Sequence, residues 1–318
     1  MDMFSVRTDL AIEARELYKE GSGREVPGVE VEEVNAGDAT VSRVHVFNEI
    51  GSKSMGKPIG HYITIEAPGL MDNEPKYNEG VSKLLTVELK NLLQLNDNSL
   101  VLIVGLGNWN VTADSLGPKV VDRVQVTRQI FQYAPNEIDK GYRPVCAIAP
   151  GVLGITGIET TDIIRGIVDR TKPDVVIAID ALASRRLTRV NTTIQVSDTG
   201  INPGSGLGNY RTPLNKQTLG IPVLAIGLPT VVDAATVARD AIQMLIDSMK
   251  KQGGNPNEYQ FMDDLSEGQK YNMIREVLTP FEANLVVTPK EADELIDSIS
   301  GIISDGLDRA IHPALTNI

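Results

Sequence analysis

Apolar positions recur along this chain in two rhythms. Short continuous runs at 99–104, 145–149, 175–179 and 223–226 read as strands covered on both faces. Alternating stretches at 29–34, 39–47 and 62–67, a polar stretch around 190–196 and a run at 284–287 read as further strands. Apolar residues three and four apart mark helices instead. Leu10, Ala14, Leu17 and Tyr18 share a face after Asp9, a good helix cap. Leu84, Leu85, Leu89 and Leu92 do so within 81–95, and Ile163, Ile164, Ile167 and Val168 within 160–170. A helix begins near Leu116–Pro118, since proline suits the first turn. A long helix follows over 231–250. The last helix starts at Thr288-Pro289-Lys290-Glu291 and turns Leu295, Ile296, Ile299, Ile302, Ile303 and Leu307 inward. Strands alternating with helices predict an α/β protein, a three-layer α/β/α fold around a mainly parallel or mixed sheet. Residues 49–60, rich in Gly, Ser and Lys, read as a loop. The polar stretch 252–269 reads as a surface excursion.

Composition narrows the possibilities. The chain has 318 residues, 42% hydrophobic and 23% charged, enough for a sizeable core. No run approaches the roughly 20 apolar residues that span a bilayer. Met1-Asp2-Met3-Phe4-Ser5-Val6-Arg7 lacks the basic and apolar regions of a signal peptide, so a cytoplasmic protein without membrane partners is expected. The net charge of −12 argues against direct binding to a nucleic-acid backbone. The single cysteine, Cys146, excludes an internal disulfide and a cysteine-rich zinc site, and reads as a small core residue. His45, His61 and His312 are scattered, so neither zinc of the usual kind nor a Ser-His-Asp arrangement fits. No metal and no cofactor are expected, although a carboxylate-held magnesium or calcium ion stays open.

Two aspartates carry the candidate chemistry. Asp114 follows the run 99–104 and the loop Gly105-Leu106-Gly107-Asn108-Trp109-Asn110, and Asp180 ends Asp174-Val175-Val176-Ile177-Ala178-Ile179-Asp180. Residues just past strand carboxyl ends line the ligand crevice of an open α/β sheet. A carboxylate there is costly to bury and needs a partner or a task. Two of them facing one crevice could share a proton and activate water. Asp114 has helix capping as its ordinary alternative, and Asp180 an ion pair with Arg185 or Arg186. The glycine loop only begins a dinucleotide fingerprint, because Asn110 stands where the third glycine belongs. Its glycines fit sharp turning and close approach to a substrate instead. Further glycine-rich loops at 150–160, 198–209 and 227–234 could hold an extended peptide or an oxyanion. Gly107, Asn108, Gly151, Gly157, Gly204 and Gly206 are the candidate substrate contacts, with Asp198 and Asp233 as spare carboxylates for metal binding or capping.

Ordered motifs over most of the chain resemble the germination protease family of spore-forming bacteria. They include Ser5-Val6-Arg7-Thr8-Asp9-Leu10-Ala11, Val104-Gly105-Leu106-Gly107-Asn108, Leu116-Gly117-Pro118-Lys119, Thr156-Gly157-Ile158-Glu159-Thr160 and Ala178-Ile179-Asp180-Ala181-Leu182-Ala183. Pro203-Gly204-Ser205-Gly206, Pro229-Thr230-Val231-Val232-Asp233-Ala234 and Val287-Thr288-Pro289-Lys290-Glu291 extend the resemblance. It implies an endopeptidase that degrades small acid-soluble spore proteins during germination in the spore core. It further implies a homotetramer made as an inactive zymogen, a fold similar to hydrogenase maturation proteases, and catalytic aspartates at Asp114 and Asp180. The family cuts after an acidic residue followed by a bulky apolar residue and alanine. Asp9-Leu10-Ala11 offers that pattern, so self-cleavage between Asp9 and Leu10 is expected, with residues 1–9 as propeptide and 10–318 as one peptidase domain. A metal-dependent peptidase using the same aspartates and a non-catalytic binder of spore proteins are the alternatives.

Overall fold

In a computed structural model, the structure describes residues 8–204, 211–253, 255–265, 267–278 and 285–316. In chain order the elements are α1 (Ala11–Ser22), β1 (Val29–Ala36), β2 (Ala39–Val46), α2 (Glu49–Met55), β3 (Gly60–Glu66), α3 (Pro75–Leu92), β4 (Val101–Gly105), α4 (Leu116–Arg123) and α5 (Arg128–Tyr133). There follow β5 (Val145–Ile148), α6 (Leu153–Thr156), α7 (Thr160–Thr171), β6 (Val175–Ser184), β7 (Thr193–Ser197), α8 (Lys216–Leu219), β8 (Val223–Asp233), α9 (Ala234–Lys251), α10 (Pro256–Asp264), α11 (Glu267–Leu278), β9 (Val286–Val287) and α12 (Ala292–Ile311).

One mixed sheet organises these elements, in the order β1-β2-β3-β7-β8-β6-β4-β5, with β9 paired to the far end of β8. Strands β8, β6, β4 and β5 run parallel, and β7, β3, β2 and β1 continue antiparallel from β8. Side chains alternate between faces along a strand, so odd and even positions of β6 build different layers. Val175, Ile177 and Ile179 pack with Leu85 and Leu89 of α3, Leu116 and Val120 of α4, and Ile296, Ile299 and Ile303 of α12. Val176 and Ala178 face the opposite side, against Ile164 and Val168 of α7 and Leu219 of α8. On that same side, Leu182 meets Leu10, Ala11 and Ile12 at the start of α1. The three-layer α/β/α fold and the mixed sheet read from the sequence are both present.

Several elements differ from the sequence reading. Residues 49–60 are not all loop: Asn48 accepts the Gly51 N–H and caps α2. Strand β6 extends past Ile179 to Ser184, and β8 runs to Asp233, so Pro229–Val232 is strand where a loop and a helix start were expected. Cross-strand pairing in the sheet outweighs the turn character of Pro229 there. Asp233 then caps α9 by accepting the Thr236 N–H. The polar stretch after α9 folds into α10, tied to α9 by Lys250–Asp263 at 2.6 Å, and enters α11. Asp9 does not cap α1. The cap position is Leu10, without a side-chain cap, and Asp9 is engaged elsewhere.

Candidate active site

Strand β4 ends at Gly105 against the first turn of α4, so closely that a Cβ on Gly105 would collide with the Gly117 carbonyl. The chain then turns through Gly107 at φ +108°, where a Cβ would strike the Asp114 carbonyl. Only glycine satisfies both the angle and the space. The Asn108 N–H donates to the Asp114 carbonyl oxygen at 2.9 Å and closes the loop. Asp114 is thereby held beside the carboxyl end of β4, and it is not the cap of α4, a position that Ser115 takes.

Asp180 sits inside β6, opposite Gly227 of β8, on the face shared with Leu182. It is 6% exposed. Its Oδ1 accepts the N–H of Ala181 at 2.9 Å. The anticipated ion pair with Arg185 or Arg186 is not formed: Arg185 pairs with Glu20, and Arg186 with Glu16 and Glu20. Past Asp180, the pairing of β6 with β8 slips between Leu182 and Ala183 and leaves Thr230 out of register. Thr230 uses its hydroxyl to donate to the Ala113 carbonyl at 2.6 Å, tying the bulge to the residue before Asp114.

Both aspartates line one cavity of about 440 Å³, together with Asp9, Gly107, Gly151, Gly204 and Thr230. Burial pushes the Asp114 carboxyl up to about 6, partly relieved by the Asn108 N–H. Burial also raises Asp180 well above the ordinary carboxylate range, and the nearby charges of Asp114 and Asp9 raise it further. The Ala181 N–H offsets this only in part. A carboxyl that resists ionisation beside one that ionises more easily is the arrangement that acid–base chemistry on one water requires.

The third carboxylate comes from the N-terminal segment, which lies against the end of β6. Asp9 donates its N–H to the Ala183 carbonyl at 3.0 Å, and its Oδ2 accepts the Ala183 N–H at 2.9 Å. Leu10 is fully buried. Beyond it, Glu13 of α1 accepts the N–H groups of Arg185 and Arg186 and a hydrogen bond from the Thr8 hydroxyl. Arg189 bridges Glu13, Glu16 and Glu66 at 3.3, 2.7 and 2.7 Å. The segment is held both by backbone pairing and by charge.

Of the candidate substrate contacts, Gly107, Gly151 and Gly204 line the cavity. Asn108 does not; its side chain accepts the Asn110 N–H. Gly157 ends α6 in a left-handed conformation and lies outside the lining, and Gly206 falls outside the described residues. Asp198 accepts the backbone N–H of His61 and meets its ring, and Asp233 is a helix cap, so both spare carboxylates are occupied away from the pair. Among the described residues, no three or more His, Cys, Asp or Glu side chains form a cluster fit to hold a metal ion. Sequence reasoning missed Lys57 and Gln195, which hydrogen-bond to Asp9. Lys57 lay in an apparent loop, and the only sign of Gln195 is a polar residue between Ile194 and Val196.

Comparison with known proteins agrees with the sequence motifs. A family model described as germination protease matches residues 8–260 and 249–317. The germination protease of Clostridium tetani is 54% identical over 98% of this chain and 97% of its own. That of Caldanaerobacter subterraneus is 52% identical over 99% and 96%, and that of Bacillus cereus 43% identical over 98% and 95%. Among the described residues, no helix is long and apolar enough to cross a membrane. The chain belongs to the germination protease family and is, with that family, an endopeptidase.

Proposed function

We propose that this endopeptidase degrades small acid-soluble spore proteins in the spore core during germination, and that Asp114 and Asp180 activate the attacking water. The observation that carries the proposal is the shared cavity: two carboxyls with raised pKa values beside a peptide segment of the chain itself. Asp180, the more deeply buried, holds the proton. Asp114 is ionised and takes a proton from water, and Asp180 protonates the leaving nitrogen. The pair titrates as a unit, so its two apparent pKa values belong to both groups. Acid–base help of this kind is worth about 10² to 10⁴ in rate.

The chain is made as a zymogen, and the segment in the cavity is its own first substrate. Cleavage between Asp9 and Leu10 releases residues 1–9 as propeptide and leaves 10–318 as the peptidase domain. Support comes from Asp9 lining the cavity while Leu10 is buried in an apolar pocket with Leu182, Met55 and Tyr62. Assembly as a homotetramer follows from the family resemblance, and sedimentation equilibrium tests it.

The experiment is incubation of the purified protein with a small acid-soluble spore protein, read by mass spectrometry, with Asp180→Asn alongside. Wild type is expected to yield fragments beginning at an apolar residue that follows an acidic one, and Asp180→Asn none. Stable binding without fragments would leave a non-catalytic binder. Fragments that vanish on exhaustive chelation would move the aspartates to a metal site.

A further inference from the structure

Asp9 lies between two cavities. Besides the large one, it lines a smaller pocket of about 70 Å³ with Lys57, Tyr62, Leu182, Gln195 and Gly227. Two of these side chains meet at the Asp9 carbonyl oxygen. Lys57 Nζ donates to it at 2.8 Å, and Gln195 Nε2 at 3.2 Å. The other end of the same carboxamide, Gln195 Oε1, accepts the Ala11 N–H at 2.7 Å. Gln195 therefore spans Leu10, with one hydrogen bond on each side of it. Its own position is fixed by β7, where it is 8% exposed and paired with Gly227 of β8. The carbonyl oxygen thus points to two donors in the small pocket, while the Asp9 residue also lines the cavity of the aspartate pair.

This is the arrangement an acyl-transfer site needs. Donors fixed in advance around a carbonyl oxygen stabilise the charge that develops on it, most effectively where water is excluded. A cation is the strongest such donor. Burial lowers the pKa of Lys57, and the carboxylates of Asp9 and Glu13, which face it, oppose the shift. The Tyr62 phenol shares the pocket and donates to the Pro58 carbonyl at 2.8 Å.

We propose that Lys57 and Gln195 form the oxyanion site of this peptidase: Lys57 meets the charge on the carbonyl oxygen before the scissile bond, and Gln195 holds the peptide across that bond. The proposal rests on the assignment of Asp9–Leu10 as the self-cleavage bond. Water oxygen adds to the Asp9 carbonyl carbon and gives one proton to Asp114, while the carbonyl π pair moves to the oxygen beside Lys57. The pair then returns as the C–N bond breaks, and the Leu10 nitrogen takes the proton held by Asp180. One water is consumed, and the products are an Asp9 carboxyl end and a Leu10 amino end. Lys57 donates a hydrogen bond throughout and keeps its proton.

The test follows removal of residues 1–9 from the full chain by intact mass, in wild type, Lys57→Met, Lys57→Arg and Gln195→Ala. Lys57→Met is expected to slow the step by about 10²- to 10³-fold, the usual cost of one oxyanion donor. Lys57→Arg retains the charge and should stay within about tenfold of wild type. Gln195→Ala removes both of its hydrogen bonds to the segment and should slow the step by roughly 10- to 100-fold. Hydrogen exchange of residues 8–13 separates chemistry from anchoring. Protection kept in Lys57→Met while the rate collapses supports an oxyanion role. Protection and rate lost together, or a wild-type rate in Lys57→Met, overturns it. Should Lys57→Met fail to fold, a Lys57→Arg rate as low as that of Asp180→Asn overturns it equally. Wild type that keeps Met1 while digesting a spore protein would instead remove the Asp9–Leu10 assignment, an outcome distinct from the others.

Discussion

The two halves of the sheet are built differently. In the parallel half, β4 is buried throughout and β6 almost so, with apolar side chains on both faces. In the antiparallel half, one face is apolar and the other is mixed, with Val44, Val46 and Tyr62 packed on Leu10 beside a row of polar side chains. Ile63, Ile65, Ile194 and Val196 join the core under α3 and α12, while Glu66, Thr193, Gln195 and Ser197 lie on the opposite face, toward α1. Strand β1 at the edge is mostly exposed. The contrast explains the division of labour at the site. Burial raises the pKa values of Asp114 and Asp180, and the polar side chains of the antiparallel half supply the hydrogen bonds that seat the N-terminal segment.

Stability should divide along the same line. Ile177→Ala, fully buried in β6, is expected to cost about 2–5 kcal/mol through lost burial and a residual cavity, read from the urea midpoint. A loss below about 1 kcal/mol would mean that the parallel half is not the stability centre.

Next in size is a gain. The folded-state pKa of Asp114, about 6, lies above its ordinary value of 3.8. Between those values the native state binds more protons than the unfolded one, so stability falls as pH rises through this window. Asp114→Asn should therefore stabilise the protein by roughly 1–3 kcal/mol at neutral pH and by nothing in strong acid. Thermal melts of both proteins across this range check the sign. A destabilised Asp114→Asn at neutral pH would show that the carboxylate is well paired in the fold.

Smaller effects belong to the antiparallel half. Asn48→Ala removes the cap of α2, the helix that leads to Lys57, and should cost about 1 kcal/mol. Val34→Ala on the exposed β1 should stay within about 0.5 kcal/mol. A larger loss there would point to a partner covering that edge.

The same contrast sets what could be read from the sequence. Runs such as 100–104 and 175–179 announce buried parallel strands because nothing but apolar side chains fits there. Asp180 stands out as the charge that ends one such run, and Asp114 as the charge beyond the loop that follows the other. The antiparallel half is less legible. Its buried polar residues gain their meaning from partners far along the chain: Gln195 from Asp9 and Ala11, and Arg189 from Glu13, Glu16 and Glu66. Local spacing carries no trace of such pairs. Asp9 shows the limit plainly. Its position before an amphipathic run suits a helix cap, yet pairing with the distant Ala183 draws it into the cavity. Pro229 and Thr230 look like a turn, but Pro229 pairs with Leu182 of β6, and the Thr230 hydroxyl ties the bulge to Ala113.

The central claim is that Asp114 and Asp180 act as one unit on one water. The most direct measurement is the cleavage rate of Asp114→Asn, Asp180→Asn and the double variant, on folded protein. Groups that act together are strongly non-additive, so each single substitution should remove nearly all activity and the double variant should lose no more. Near wild-type activity in either single variant, or two modest losses that multiply in the double, would contradict a shared water.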